Sequence, residues 1–323
     1  MSVSTKNRVV VLDTGYDSYE LERSVLEEAG FVLDIYEGAP DDRSAKIKFA
    51  QNAVGLFCRW SVIDEELLNA ATSLKAVVRY GVGYDSVNVP AATRKGVKVA
   101  IVPGCVENAV AEHALALIFA CARSLCCGRQ KIGRLFSNAP RRRLWELRDK
   151  TLGIIGLGRI GGILCAKGKA LFRTVLAYDP YVSEPRFAEV GAVPTNLETL
   201  LAESHVISLH CNLTAETRSL IDEQAIARMR QRPILINTAR GSVVDENALL
   251  EALQKKQIHS AGLDVFSDEP PTARLDALLS HPHVVVTGHY AWYSETALPR
   301  LQKKAAESML ALLRGEKIAN CLN

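Results

Sequence analysis

An α/β protein of about two domains, each a parallel sheet with helices on its faces, is the fold the sequence predicts, and three observations predict it. The chain has 323 residues, more than one typical core holds. Short β-branched runs alternate with amphipathic stretches through most of its length. A G-x-G-x-x-G turn, Gly156, Gly158 and Gly161, follows an apolar strand and opens a helix.

From Arg8, "RVVVLD", "YELERSVLEEAG", "FVLDIYE", a polar helix candidate and "AVGLF" set up a βα rhythm that continues through "LKAVVRYG", "NVPAATRKG" and "VKVAIVP". Near Pro103 and Gly104 the strands stop. "VENAVAEHALALIFACARSL" then shows apolar residues at helical spacing for about five turns, which suits a link between domains. A second βα series begins at "TLGIIGLGRIGGILCAKGKALF" and runs through "TVLAYDP", "HVISLHC", "PILINTARG", "HSAGLDVF" and "HVVVTGH". The last stretch, "SETALPRLQKKAAESMLALLRGE", is again a long amphipathic helix. If it packs back on the N-terminal units, both chain ends close one discontinuous domain, 1–103 with 290–323, around an inserted domain, 104–289.

Composition narrows the function class. The chain is 48% hydrophobic and 23% charged, and no apolar run approaches the roughly 18 residues that cross a bilayer. The start from Met1 to Asn7 lacks a basic region followed by an apolar one, so a cytoplasmic protein is expected. Eight cysteines stand at irregular intervals without C-x-x-C or Cys/His ligand spacing, which points to reduced thiols and to no metal site. A net charge of +3 argues against nucleic acid as a partner. The basic run from Arg129 to Lys150, with Leu135, Phe136, Leu144 and Trp145, reads as an arm between subunits of a homodimer.

The spacing of the three glycines has a physical cause. Gly156 permits a tight turn, Gly158 lets the backbone approach a pyrophosphate, and Gly161 lets helix pack on strand. Asp179 ends the next strand in "LAYDPY", where a carboxylate binds adenosine ribose hydroxyls and repels a 2′-phosphate. NAD, rather than NADP, is the expected cofactor.

Arg240 in "NTARG" and Glu269 in "DVFSDEP" stand at or just beyond strand ends, the edge of an open α/β sheet where ligands bind, and His289 in "VTGHYAW" also follows a strand. An arginine, a carboxylate and an imidazole converging on a nicotinamide suit hydride transfer between a 2-oxo and a 2-hydroxy acid. Arg240 would hold the substrate carboxylate and polarise its carbonyl. His289 would move the alcohol proton, with Glu269 favouring the imidazolium and fixing the ring. Taken singly, an arginine after a strand can cap a carbonyl and a histidine can simply pack. Their joint position after the glycine turn raises the catalytic reading.

These motifs carry a resemblance. "GVGYDSVNVPAATRKGVKVAIVPG", "VAEHALAL", "TLGIIGLGRIGG", "LINTARGSVVDENAL", "GLDVFSDEP" and "GHYAW" occur in an order similar to that of the D-isomer-specific 2-hydroxyacid dehydrogenases, over nearly the whole chain. The resemblance implies two Rossmann-like domains, the nucleotide domain inserted into a flavodoxin-like substrate domain, and a dimer. It carries the family's catalytic Arg, Glu and His onto Arg240, Glu269 and His289, and its nicotinamide-binding aspartate onto Asp264. Arg159 and Ile160 fall on the pyrophosphate contact, and Cys211, Thr238 and Ala239 join the cofactor-binding set. The backbone at Val82 and Gly83 matches the loop that receives the substrate carboxylate.

Within the family, "YDPY", "LHCNL", "AWYSE" and the ending "NCLN" most resemble the C-terminal-binding proteins, NADH-binding corepressors. That branch implies Trp292 and Arg79 as substrate-facing residues. Two departures from the wider family pattern stand out: Gly288 where many members have proline, loosening the backbone that aims His289, and Asn212. The loop "FCRWS" supplies Cys58, Arg59 and Trp60 as specificity candidates. The expected function is NAD-dependent 2-oxoacid reduction. The alternatives are a dinucleotide-sensing regulator and a phosphoglycerate or hydroxypyruvate dehydrogenase, with Arg59 the feature that favours a phosphate.

Overall fold

A computed structural model of the chain describes residues 7–125 and 144–323. Most of the expected intersubunit arm, Leu135 and Phe136 included, lies outside the described residues, as do Cys126 and Cys127. The chain divides into two compact units, residues 1–106 with 294–323 and residues 107–293. Tyr290 to Tyr293 group with the second unit rather than with the C-terminal helix, because the Tyr290 and Ala291 amides bond the Asp264 carboxylate in that unit.

The first unit is built on a five-stranded parallel sheet. Its strands are β1 (Arg8–Val11), β2 (Val32–Ile35), β3 (Gly55–Cys58), β4 (Ala76–Arg79) and β5 (Lys98–Ile101), in the order β2-β1-β3-β4-β5, the flavodoxin-like arrangement. The strands read as continuous apolar runs because helices cover both faces of a parallel sheet. Val9, Val10, Leu56, Phe57, Val77 and Val78 are fully buried. Helix Ala297–Leu313 returns to this unit: Gln302 bonds Ser18 O and Glu22, and Lys304 bonds Pro103 O. Leu322 then donates to Val99 O, so both chain ends close the one unit.

The second unit has seven parallel strands. They are β6 (Thr151–Ile155), β7 (Thr174–Tyr178), β8 (Val193–Pro194), β9 (Val206–Leu209), β10 (Ile234–Asn237), β11 (Ser260–Leu263) and β12 (Val284–Val286). Their order is β12-β11-β10-β9-β6-β7-β8, the doubly wound arrangement in which the winding reverses between β6 and β9. Buried side chains fill both faces: Ile155, Leu209, Leu235 and Leu263 on one, Leu152, Ile154, Ile234 and Ile236 on the other. Helix Glu107–Arg123 belongs to this unit and packs Leu117 and Cys121 against Gly262, where a Cβ would meet them. No helix among the described residues is long and apolar enough to cross a membrane.

Candidate active site

The glycine turn lies where the sheet order reverses, the edge at which open α/β sheets bind ligands. Gly156 takes φ +93°, and a Cβ there would stand 2.6 Å from the Cys211 amide nitrogen. At Gly161 a Cβ would overlap the Gly156 carbonyl oxygen, so only glycine lets helix Arg159–Gly168 start this close to the strand. Gly158 is the helix N-cap, and nothing lies within 4 Å of where its Cβ would stand. The first-turn amides at Arg159, Ile160 and Gly161 have no acceptor within a helix that begins there, so an open, electropositive concavity results. That shape and polarity fit a pyrophosphate. Gly162, outside the fingerprint, leaves space for the Arg186 guanidinium, whose Nη2 reaches the Gly158 carbonyl oxygen at 3.4 Å.

The flanking residues fit the rest of a dinucleotide. Asp179, just after β7, accepts the Leu157 amide at 2.8 Å on one carboxylate oxygen and the Tyr181 amide at 3.0 Å on the other. A carboxylate has about four acceptor positions, so ribose hydroxyls still find acceptors there. Cys211 follows β9, and burial pushes its thiol up to about 11. Thr238 and Ala239 follow β10. The Thr238 Oγ1 is buried and has no hydrogen-bond partner among the described residues, an orphan that a bound ligand would satisfy.

Farther along the same sheet edge, the loops after β10, β11 and β12 bring Arg240, Glu269 and His289 into one region. His289 Nδ1 lies 2.5 Å from Glu269 Oε2. A carboxylate only accepts, so Nδ1 carries the hydrogen and Nε2 is left as the nitrogen that exchanges a proton. Burial works to raise the Glu269 carboxyl. The His289 hydrogen bond and charge, the Phe266 amide at 2.9 Å and the Arg240 charge outweigh it and hold the carboxyl below its ordinary range. Arg240 donates from Nη1 to Ala239 O at 2.7 Å. Asn237 ties that turn by accepting Ala239 N and donating to Arg240 O. At Gly241 a Cβ would overlap the Phe266 carbonyl, so this glycine lets the Arg240 turn lie against the Glu269 loop.

His289 itself has φ +53°, a left-handed conformation that non-glycine residues adopt at a cost. The expected backbone freedom at Gly288 is not where the unusual conformation lies: a Cβ at Gly288 would meet only Tyr290 Cδ1, at 3.9 Å. The support for His289 comes from Asp264. Its side chain is fully buried, and its oxygens accept the Thr287 hydroxyl at 2.5 Å, the Tyr290 amide at 3.2 Å and the Ala291 amide at 3.0 Å. Its carbonyl accepts the His289 amide at 2.7 Å. The carboxylate assigned to the nicotinamide is thus also the post around which residues 287–291 wrap. Trp292 Nε1 donates to His289 O at 3.0 Å and adds a further brace.

Among the described residues, several supports carry no motif of their own. Glu246, buried, accepts the Ser267 amide at 2.8 Å, the Ser267 hydroxyl and Arg274, and so pins the loop that carries Glu269. An acid three residues before "LLEAL" reads as an ordinary first-turn helix residue, and only its burial betrays the role.

The remaining candidates belong to the first unit. Arg79 ends β4, with Nη1 2.6 Å from Tyr80 O, and packs over Gly81, whose φ is +114°. Val82 and Gly83 follow, half-buried. Cys58 is buried within β3, and burial pushes its thiol up to about 12. It therefore belongs to the core rather than to a specificity surface. Arg59 lies between the Tyr16 ring (4.6 Å) and the Trp60 ring (4.2 Å), and Trp60 is exposed.

Comparison with known proteins agrees with this fold. Residues 115–291 match the family model for the D-isomer specific 2-hydroxyacid dehydrogenase, NAD binding domain. The chain is 36% identical, over 94% of its length, to the D-3-phosphoglycerate dehydrogenase of Mycobacterium leprae, 57% of which it covers. It is 35% identical, over 92% of its length, to the glyoxylate reductase of Korarchaeum cryptofilum, 91% of which it covers. The chain spans about half the length of the phosphoglycerate dehydrogenases it matches. A D-lactate dehydrogenase from Aquifex aeolicus, complexed with NAD and lactic acid, superposes with a TM-score of 0.86 at 31% identity, covering 96% of each chain. The chain belongs to the D-isomer specific 2-hydroxyacid dehydrogenase family, and its residues 115–291 are that family's NAD-binding domain.

Proposed function

We propose that the protein is an NAD-dependent D-2-hydroxyacid dehydrogenase that works as a 2-oxoacid reductase. The observation that carries this reading is the His289–Glu269 pair, held by the Asp264 loop on the same sheet edge as the glycine turn. Gly156, Gly158, Arg159, Ile160, Gly161 and Asp179 would hold the adenosine and pyrophosphate part, and Cys211, Thr238, Ala239 and Asp264 the nicotinamide end. When bound, the reduced dinucleotide supplies the hydride for the keto carbon.

Arg240 orients the oxoacid through its carboxylate, its guanidinium fixed by the bond to Ala239 O. Protonated His289 gives its Nε2 proton to the ketone oxygen, and Glu269 stabilises the imidazolium before the transfer and holds the ring in line. The balance is one proton from His289 and one hydride per alcohol formed. In the first unit the proposal assigns substrate binding to Arg79, Val82 and Gly83; Trp292 in the second is assigned the same role. Arg59, clasped by two aromatic rings, favours a substrate with a second anionic group, and phosphate is one candidate.

The reading extends to a cytoplasmic homodimer. Leu125 and Leu144, exposed on either side of residues 126–143, are the kind of surface a second subunit covers. The cysteines seen are free thiols, as in a reducing compartment. Sedimentation of the purified protein tests the dimer.

The function test is NADH oxidation with glyoxylate, hydroxypyruvate, pyruvate, branched and thioether oxoacids and 3-phosphohydroxypyruvate, with NADPH as control. Preferential turnover of one of them with NADH supports the reading. Tight NADH binding without turnover of any would replace it with a dinucleotide-dependent regulator.

A further inference from the structure

The motif "VAEHALAL" contains a histidine that the proposed reaction does not use. His113 stands on helix Glu107–Arg123 with its side chain 18% exposed. Its Nε2 is 2.9 Å from Thr287 Oγ1 and 3.6 Å from Asp264 Oδ1, and its ring meets Tyr290 edge-on with centroids 5.4 Å apart.

Counting protons along this line gives its direction. Asp264 acts as acceptor at both oxygens, taking the Tyr290 amide on Oδ1 and the Ala291 amide on Oδ2. Thr287 has one hydroxyl proton, and the 2.5 Å contact directs it to Asp264 Oδ1. What remains on Thr287 Oγ1 for His113 is a lone pair. His113 Nε2 must therefore carry hydrogen and donate.

We propose that His113 is a positioning residue for the proton-transfer step. The chain His113 Nε2–H to Thr287 O–H to Asp264 fixes the carboxylate that gathers residues 287–291, and through them the left-handed backbone that aims His289 at Glu269. This rests on the reading of His289 as the proton carrier, and adds the residue that keeps it in place from another element. A donor at 2.9 Å from a hydroxyl committed to a buried carboxylate has a function that apolar packing cannot supply.

Two experiments test it. In protein carrying 15N-labelled histidine, the ring nitrogens of His113 should show the Nε2–H form, and in His113→Ala the His289 resonances should shift in the absence of any substrate. In kinetics, His113→Ala and Thr287→Val should each lower kcat by about 100-fold, the scale of a small misplacement of a reacting group. Thr287→Ser and His113→Gln, which keep the hydroxyl and a side-chain N–H, should recover most of the loss.

An Nδ1–H form, unmoved His289 resonances, or an Ala variant that loses stability but keeps kcat would overturn the proposal. If no oxoacid turns over, the functional reading fails by itself, and the tautomer and the His289 resonances still decide the role of His113.

Discussion

Each unit seats a candidate functional loop on a buried aspartate, and the two aspartates are neutralised differently. In the first unit Asp13, two residues past β1, takes the Arg59, Trp60 and Ser61 amides and the Ser61 hydroxyl from the loop that leaves the neighbouring strand β3. In the second, Asp264, one residue past β11, takes two amides and a hydroxyl from the loop that leaves the neighbouring strand β12. Asp13 has a permanent cation, Lys46 Nζ at 2.9 Å, also buried. Asp264 has the hydroxyl of Thr287 with His113 behind it. A loop that presents fixed side chains tolerates an ion pair beneath it. The loop that carries His289 is held instead by two backbone amides and a hydroxyl.

The largest expected effect comes from Asp264→Ala. Two amides and a hydroxyl lose their acceptor, at about 1–3 kcal/mol for each donor left buried and unmet, and turnover of any substrate found should fall by more than about 100-fold. Denaturant unfolding and steady-state kinetics read both quantities. Asp13→Ala should cost about 3–5 kcal/mol in unfolding free energy, because it leaves Lys46 buried and unpaired. Adding Lys46→Met should recover part of that loss, and a double replacement costing more than Asp13→Ala alone would break the ion-pair account.

Acid should separate the units, and hydrogen exchange followed against pH would show it. Burial pushes the His210 imidazole down to about 4, below the ordinary value of about 6.5. The folded form therefore refuses a proton that the unfolded form takes, and the second unit should lose stability, on the order of 2 kcal/mol, as pH falls from about 6.5 to 4. The first unit runs the other way. Burial raises the Glu22 carboxyl against the Tyr80 and Gln302 hydrogen bonds, so its contribution is present at low pH and lost as pH rises through the raised value. Asp13 is held low: burial works to raise it, but the Ser61 hydroxyl, the Arg59 and Ser61 amides and Lys46 prevail, so its contribution persists until pH falls below the ordinary carboxylate range. Protection in the second unit that stays flat down to pH about 4 would contradict the His210 assignment.

The smallest effect is expected at the surface. Arg94 and Glu65 form an ion pair with both side chains about 60% exposed, and Glu65→Ala should leave stability within about 0.5 kcal/mol.

Much of the fold can be read in the sequence because parallel strands buried on both faces appear as unbroken apolar runs between amphipathic ones. β8 escapes that reading, since a two-residue edge strand, Val193–Pro194, is too short to make a run and ends in proline. In the candidate site, glycines whose Cβ has no room and polar residues set just past strand ends announce themselves by position. Their supports do not. His113 and Thr287 are 174 residues apart, and nothing local in "AEHAL" tells a donor from a packed ring. Lys46 reads as one more polar helix residue until the strand order brings Asp13 beneath it. A usable signal was present in "VLDT", "GLDV" and "AYDP": an aspartate just past an apolar strand, three times the anchor of the loop leaving the strand beside it.

The central claim is that His289, held in line by Glu269, carries the proton, and the rate of oxoacid reduction in His289→Ala and Glu269→Gln tests it most directly. Removing the ring that carries the proton, or the carboxylate that holds it, should each lower kcat by about 100-fold or more. A His289→Ala variant that reduces the same oxoacid as fast as the unaltered protein would contradict the account.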